Sequence, residues 1–220
     1  MEQSSIVLAR VAIRVLLEEI APHGHLLGPE ITSALTEKYG FIGVPKGDDY
    51  VKATDNGLTY ELGAWNGIKI LRFGIYPGVI ALDTGSSTDD SQRALAEILE
   101  WSTTALNTAY QPSMMKSLGY LSQITFRSNV PLIRINPKLE HIAGRISESV
   151  SKRAEFEFHY SFGGLVLDYD TTNIKRSASP FTLERRADTP HSENIYYSQA
   201  PLPTDEHLNL LEECEAALQL

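Results

Sequence analysis

The stretch Val79-Ile80-Ala81-Leu82-Asp83-Thr84-Gly85-Ser86-Ser87-Thr88-Asp89-Asp90 decides the fold, because it switches within a few residues from an apolar run to a helix start. Val79 to Leu82 reads as a strand. Gly85 permits a backbone turn, and Ser86, Ser87 and Thr88 are preferred capping residues. Asp89 and Asp90 suit the positive end of a helix, whose apolar side is supplied by Leu95, Ile98, Leu99, Trp101 and Leu106. A strand running straight into a capped helix belongs to a chain that lays helices on a sheet.

Upstream, Leu58 to Leu62 and Ile68 to Phe73 read as further strands, separated by turns at Trp65-Asn66-Gly67 and Tyr76-Pro77-Gly78, so an antiparallel meander is expected. From Ile6 to Ile20 the polar residues Arg10, Arg14 and Glu18 recur every four positions, which predicts a mostly buried helix. The alternation Val7-Ala9-Val11-Ile13-Val15 fits a strand as well. A second helix is framed by Pro29 and Gly40, with Ile31, Leu35 and Tyr39 on one side. Two helices ahead of hairpins raise a winged helix, but Glu30, Thr32, Ser33, Thr36, Glu37 and Lys38 make no basic reading face.

Downstream, a strand is expected from Tyr120 to Phe126 and a helix after Asn136-Pro137, with Leu139, Ile142 and Ile146 in register. Phe156 to Ser161, Leu165 to Tyr169, Phe181 to Arg185 and Ile195 to Tyr197 read as strands. A terminal helix follows Thr204, its apolar side at Leu208, Leu211 and Leu218 and its outer side covered by Asp205, Glu206, Glu212, Glu213 and Glu215. The fold class is α+β: antiparallel meander sheets with helices packed on one face, in two similar meander-plus-helix halves. Gly78-Val79-Ile80-Ala81-Leu82-Asp83-Thr84 is echoed in Gly164-Leu165-Val166-Leu167-Asp168-Tyr169-Asp170-Thr171, which suggests an internal duplication. One domain over 1–220 is expected, divisible into a helical region at 1–50, a first meander with helices at 51–152 and a second meander with the terminal helix at 153–220.

A chain of 220 residues, 42% hydrophobic and 21% charged, can bury a core without disulfides or metals. The single cysteine, Cys214, forms no intramolecular disulfide and points to a reducing compartment, so a cytoplasmic location is expected. Nineteen basic against 28 acidic residues leave a net charge of −9, which opposes binding to phosphate backbones and anionic lipid. Glu2 and the charges Arg10, Arg14, Glu18 and Glu19 interrupt the N-terminal apolar run, so neither export nor membrane spanning is expected.

Asp83-Thr84-Gly85-Ser86-Ser87 after an apolar strand resembles the active-site loop of pepsin-like and retropepsin-like aspartic proteases. The resemblance covers about nine residues. It implies a homodimer in which two Asp83 carboxylates share one proton and activate a water against a peptide carbonyl, with Thr84 and Gly85 holding the loop. A strand-to-helix turn, with Ser86, Ser87 and Thr88 as capping residues, is the plainer reading of the same residues.

In Glu155-Phe156-Glu157-Phe158-His159-Tyr160 polar residues alternate with aromatics, which places Glu155, Glu157 and His159 on one face. With a two-residue turn at Gly163-Gly164, His159 falls opposite Asp168 and Glu157 opposite Asp170. These four residues suit zinc, manganese or iron and a metal-dependent hydrolase. Arg185, Arg186, Lys175 and Arg176 balance the charges equally well, and a salt-bridged, solvated face is the preferred reading. His23-Gly24-His25 reads as a turn before it reads as a metal site, and Cys214, between Glu213 and Glu215, is a poor nucleophile. Trp65, Tyr76, Tyr196 and Tyr197 fall in or near connections, where aromatics anchor protein contacts or pack inward.

The reading reached by elimination is a non-enzymatic protein-interaction or assembly protein. It requires no cofactor and acts on a protein partner or on itself through a sheet edge, loops and terminal helices. The alternatives are the Asp83 endopeptidase and the Glu157/His159/Asp168/Asp170 hydrolase.

Overall fold

The computed structural model describes residues 1–22, 25–115, 117–131, 137–154, 156–170, 172 and 178–218. Its elements, in chain order, are β1 (Gln3–Arg14), α1 (Leu17–Ile20), α2 (Pro29–Tyr39), α3 (Asp48–Val51), α4 (Ala53–Asn56), β2 (Leu58–Trp65), β3 (Ile68–Tyr76), β4 (Val79–Thr84) and α5 (Thr88–Ala105). They continue with β5 (Ser117–Arg127), α6 (Pro137–Ser151), β6 (Gly164–Leu167), β7 (Phe181–Arg185), β8 (Ile195–Ala200) and α7 (Thr204–Ala217). Strands β2, β3, β4 and β1 are hydrogen-bonded in that order and antiparallel, and so are β6, β7 and β8. The fold is therefore α+β, an antiparallel meander sheet carrying helices. Two compact units are distinguished, one of Ile6–Gln123 with Pro201–Thr204 and one of Met1–Ser5, Ile124–Ala200 and Asp205–Leu220.

In the first unit the local signals act as the sequence implies. Pro29 opens α2, and Gly40, at φ 66°, closes it in the left-handed conformation with its N–H on the Thr36 carbonyl. Ser87 caps α5 by accepting from Asp90 N. Ile31 and Leu35 from α2 and Leu95, Ile98 and Leu99 from α5 share one core with Ile13, Phe73, Ile75 and Ile80 from the sheet, so both helices lie on the same face.

The N-terminal segment differs from its helical reading, since Gln3–Arg14 is the strand β1. A spacing of four is also twice the strand period, so Arg10 and Arg14 share one face of a strand as readily as one side of a helix. Ala9, Val11 and Ile13 are buried on the other face. Register settles the ambiguity, because β1 pairs along β4 from Ala9↔Thr84 to Arg14↔Val79.

The second unit departs further. Residues 156–161 form no strand. They run alongside α6, where Ser151 Oγ accepts from Phe158 N and Ser147 Oγ from Tyr160 N, both at 2.8 Å. No hairpin closes at Gly163-Gly164: β6 pairs with β7 through Leu165↔Leu183, and the Gly163 carbonyl accepts from Arg185 N. Ile142 and Ile146, expected on the inner side of α6, are exposed, while Leu139, Ala143 and Ser147 are half-buried.

The internal repetition is present with a different correspondence from the one the sequence echo suggests. Strand, helix, three-strand meander and helix occur twice, as β1-α2-β2-β3-β4-α5 and as β5-α6-β6-β7-β8-α7. β4 thus answers to β8 rather than to β6. Ile80 and Tyr196, Leu82 and Ser198, Thr88 and Thr204, and Leu95 and Leu211 are buried counterparts at the same offset. Gly78 and Asn194, both left-handed, hold equivalent places in the turns before β4 and β8, and their carbonyls accept from Val15 N and Ser128 N respectively. An apolar strand resembles any other in sequence. What identifies β4 and β8 as equivalents is the helix that each one enters.

Candidate functional site

Asp83 ends up in a charge row across the sheet. β2, β3, β4 and β1 place Glu61 opposite Arg72, Arg72 opposite Asp83 and Asp83 opposite Arg10, so the signs alternate over four strands. Asp83 is 2% exposed. Both of its oxygens accept from Arg10, Oδ1 from Nε at 2.6 Å and Oδ2 from Nη2 at 2.8 Å. This bidentate bond raises the Arg10 guanidinium above its ordinary value against the opposing effect of burial. The outer pair, Arg72 and Glu61, is looser at 3.9 Å.

The rest of the loop serves the helix start. Thr84 Oγ1 lies 2.9 Å from Ser91 Oγ and accepts from Ser86 N, while Ser91 Oγ also reaches the Ala9 carbonyl on β1. Ser86 donates to Asp90, which Arg93 also contacts, and these bonds hold the Asp90 carboxyl below the usual carboxylate range. Gly85 has no left-handed φ, and a Cβ there meets nothing within 4 Å. Sterics at this turn therefore do not require glycine.

The four proposed metal ligands are not assembled by the hairpin that the sequence implied. Glu157 and His159 are neighbours at 3.7 Å, both largely in solvent. Asp168 Oδ1 accepts from Tyr169 N, and Asp170 accepts from Thr172 N. Among the described residues no group of three or more His, Cys, Asp or Glu is placed to hold a metal ion. His23, Gly24, Glu155, Lys175 and Arg176 lie outside the described residues.

Two polar arrangements on α7 were not anticipated from sequence. His207 is fully buried, with Nε2 2.9 Å from Ser198 Oγ, which donates to the Thr182 carbonyl at 2.8 Å. Since Ser198 spends its proton on Thr182, His207 Nε2 is the donor in this contact. Burial pushes the ring's pKa down to about 4. Glu215, expected on the outer side of the helix, is buried, with Oε1 accepting from Ser128 Oγ at 2.8 Å and from Asn129 N, while Oε2 meets the Met1 ammonium. Thr204, His207, Leu211 and Glu215 are spaced three, four and four, so the buried stripe was present in the sequence but disguised by its polarity. Cys214 beside it is raised by burial and then by Glu213.

The unit formed by Met1–Ser5, Ile124–Ala200 and Asp205–Leu220 leaves large apolar side chains in water. Phe156 is 75% exposed, Val166 58% and Leu167 55%, and Ile142, Ile146, Phe158 and Tyr160 are exposed as well. The first unit's counterpart of α6 behaves otherwise: α2 buries Ile31, Leu35 and Tyr39, and Tyr39 meets Trp101 edge-on at 5.5 Å. Trp65, Tyr76 and Tyr197 are partly exposed, whereas Tyr196 is buried. Among the described residues no helix is long and apolar enough to cross a membrane. No protein-family model matches the chain, and no curated protein sequence is significantly similar to it.

Proposed function

We propose that this chain is a non-enzymatic protein-interaction or assembly protein, whose contact surface is carried by α6, β6 and the 156–160 segment. The exposed side chains of Ile142, Ile146, Phe156, Val166 and Leu167 carry the reading, because apolar groups clustered in one part of a chain mark surfaces that another protein covers. β6 pairs with β7 on one side, and among the described residues no strand pairs with its other side. The peptidase reading draws no support from the surroundings of Asp83, whose two oxygens are both taken by Arg10.

Sedimentation velocity on the full chain over a range of concentrations tests the proposal, alongside Ile142→Lys and Val166→Lys. The expected result is assembly that grows with concentration and is lost in both variants while circular dichroism is unchanged. A chain that stays monomeric, or variants that assemble as the parent does, would count against this surface.

A further inference from the structure

The outer edge of β2 presents a second feature, separate from the α6 surface. β2 pairs with β3 on one side, and on the other it is only partly covered. Glu61 N donates to the Gly43 carbonyl at 2.7 Å, and the Glu61 carbonyl accepts from Gly43 N at 3.1 Å, so one residue of the chain pairs with Glu61 as an added strand would. The chain then leaves the edge. Tyr50 Oη donates to the Pro45 carbonyl at 2.9 Å and ties the departing segment down.

Backbone groups alternate sides along a strand, so Thr59, two residues before Glu61, also faces outward. No backbone bond beyond the sheet engages its N–H or carbonyl among the described residues. Beside it opens a cleft of about 380 Å³, with Gly43, Val44 and Pro45 on one wall, Asp49, Lys52 and Asn56 of the α3–α4 region on another, and Gly57, Leu58 and Thr59 at its base. Its floor is fixed. Gly57, at φ 76°, lies so close to β3 that a Cβ would sit 2.3 Å from the Ile75 carbonyl oxygen. Asp49, Glu61 and Lys52 line this space; Asp49 Oδ2 accepts from Lys46 N at 2.8 Å, and among the described residues the Glu61 carboxylate has only the loose 3.9 Å contact with Arg72.

We propose that this cleft binds an extended peptide segment, which continues the pairing begun by Gly43 by bonding to Thr59 N–H and carbonyl and presents a basic side chain to Glu61 and Asp49. Strand addition of this kind draws affinity from main-chain bonds and selectivity from the side chains that flank them. The inference takes its class of partner from the protein-interaction reading and uses a different surface.

The test is fluorescence anisotropy with the full chain and a labelled, end-blocked pentapeptide alternating lysine and valine. Saturable binding is expected, weakened at least tenfold when the central peptide nitrogen is methylated. Thr59→Pro should weaken it as much with the thermal midpoint little changed, since an edge N–H outside the ladder tolerates proline. Glu61→Gln should weaken it severalfold and reduce its salt dependence. Absence of saturable binding, or equal affinity for the methylated peptide, would overturn the proposal, and the methylated peptide decides the matter even if Thr59→Pro misfolds. Neither outcome bears on assembly through α6 and β6, which the Ile142 and Val166 variants report separately.

Discussion

Thr88 and Thr204 exchange hydrogen bonds reciprocally: Thr88 N donates to Thr204 Oγ1 at 3.0 Å, and Thr204 N donates to Thr88 Oγ1 at 2.8 Å. Both residues are buried. Each opens a helix and is the other's counterpart in the internal repetition, so one hydroxyl type satisfies two helix-start N–H groups that have no partner within their own helices.

Replacing Thr88 with Val keeps the shape but strands Thr204 N–H in a dry site. The expected loss is about 1–3 kcal/mol, the range for an unsatisfied buried donor, and Thr204→Val should cost a similar amount. Thr88→Ser restores the acceptor and should recover most of the stability. Urea denaturation of the three variants checks this.

Arg10→Met should be more damaging than Asp83→Asn, because it abandons a buried carboxylate, whereas the Arg10 head is partly exposed and reaches water. Leaving a buried carboxylate without its cation costs on the order of 3 kcal/mol, and the asparagine variant should lose less. The double change should be milder than Arg10→Met alone. A double-mutant cycle by denaturant unfolding measures the coupling.

His207 makes stability depend on pH. Its pKa falls from an ordinary value of 6.5 to about 4 in the fold, so below 6.5 the unfolded chain binds the additional proton. The contribution is therefore complete above pH 6.5 and lost as pH drops towards 4, to a limit of about 3 kcal/mol. His207→Gln keeps a donor for Ser198 and removes this dependence. Unfolding midpoints at pH 7 and pH 5 should differ less in the variant than in the parent.

Gly74 and Gly85 should respond oppositely to alanine. A Cβ on Gly74 would sit 2.3 Å from Tyr76 Cε2, so the ring would have to leave, together with its 3.3 Å contact between Tyr76 Oη and Thr59 Oγ1. Overpacking of this kind costs about 1–3 kcal/mol. Gly85→Ala should fall within about 0.5 kcal/mol of the parent, as surface changes do. Thermal unfolding of both proteins makes the comparison.

The sequence by itself determined the elements whose signals lie within a few residues of one another. Pro29 and Gly40 bound α2, Ser87 caps α5, and the Tyr76-Pro77-Gly78 turn joins β3 to β4, because capping, turn formation and restricted φ are governed by immediate neighbours. Of the candidate site, the strand-to-helix geometry at Asp83 was legible for the same reason. The partner of Asp83 was not, since Arg10 is 73 positions away. Tertiary structure likewise made a strand of Gln3–Arg14, turned 156–160 onto α6 instead of into a hairpin, and buried His207 and Glu215 beside Leu211 on a helix whose outer side had been drawn through Glu215. In each case a periodicity of two, three or four residues fixes which side chains share a face, but only groups distant in sequence decide whether that face meets an apolar core, a hydrogen-bond partner or water.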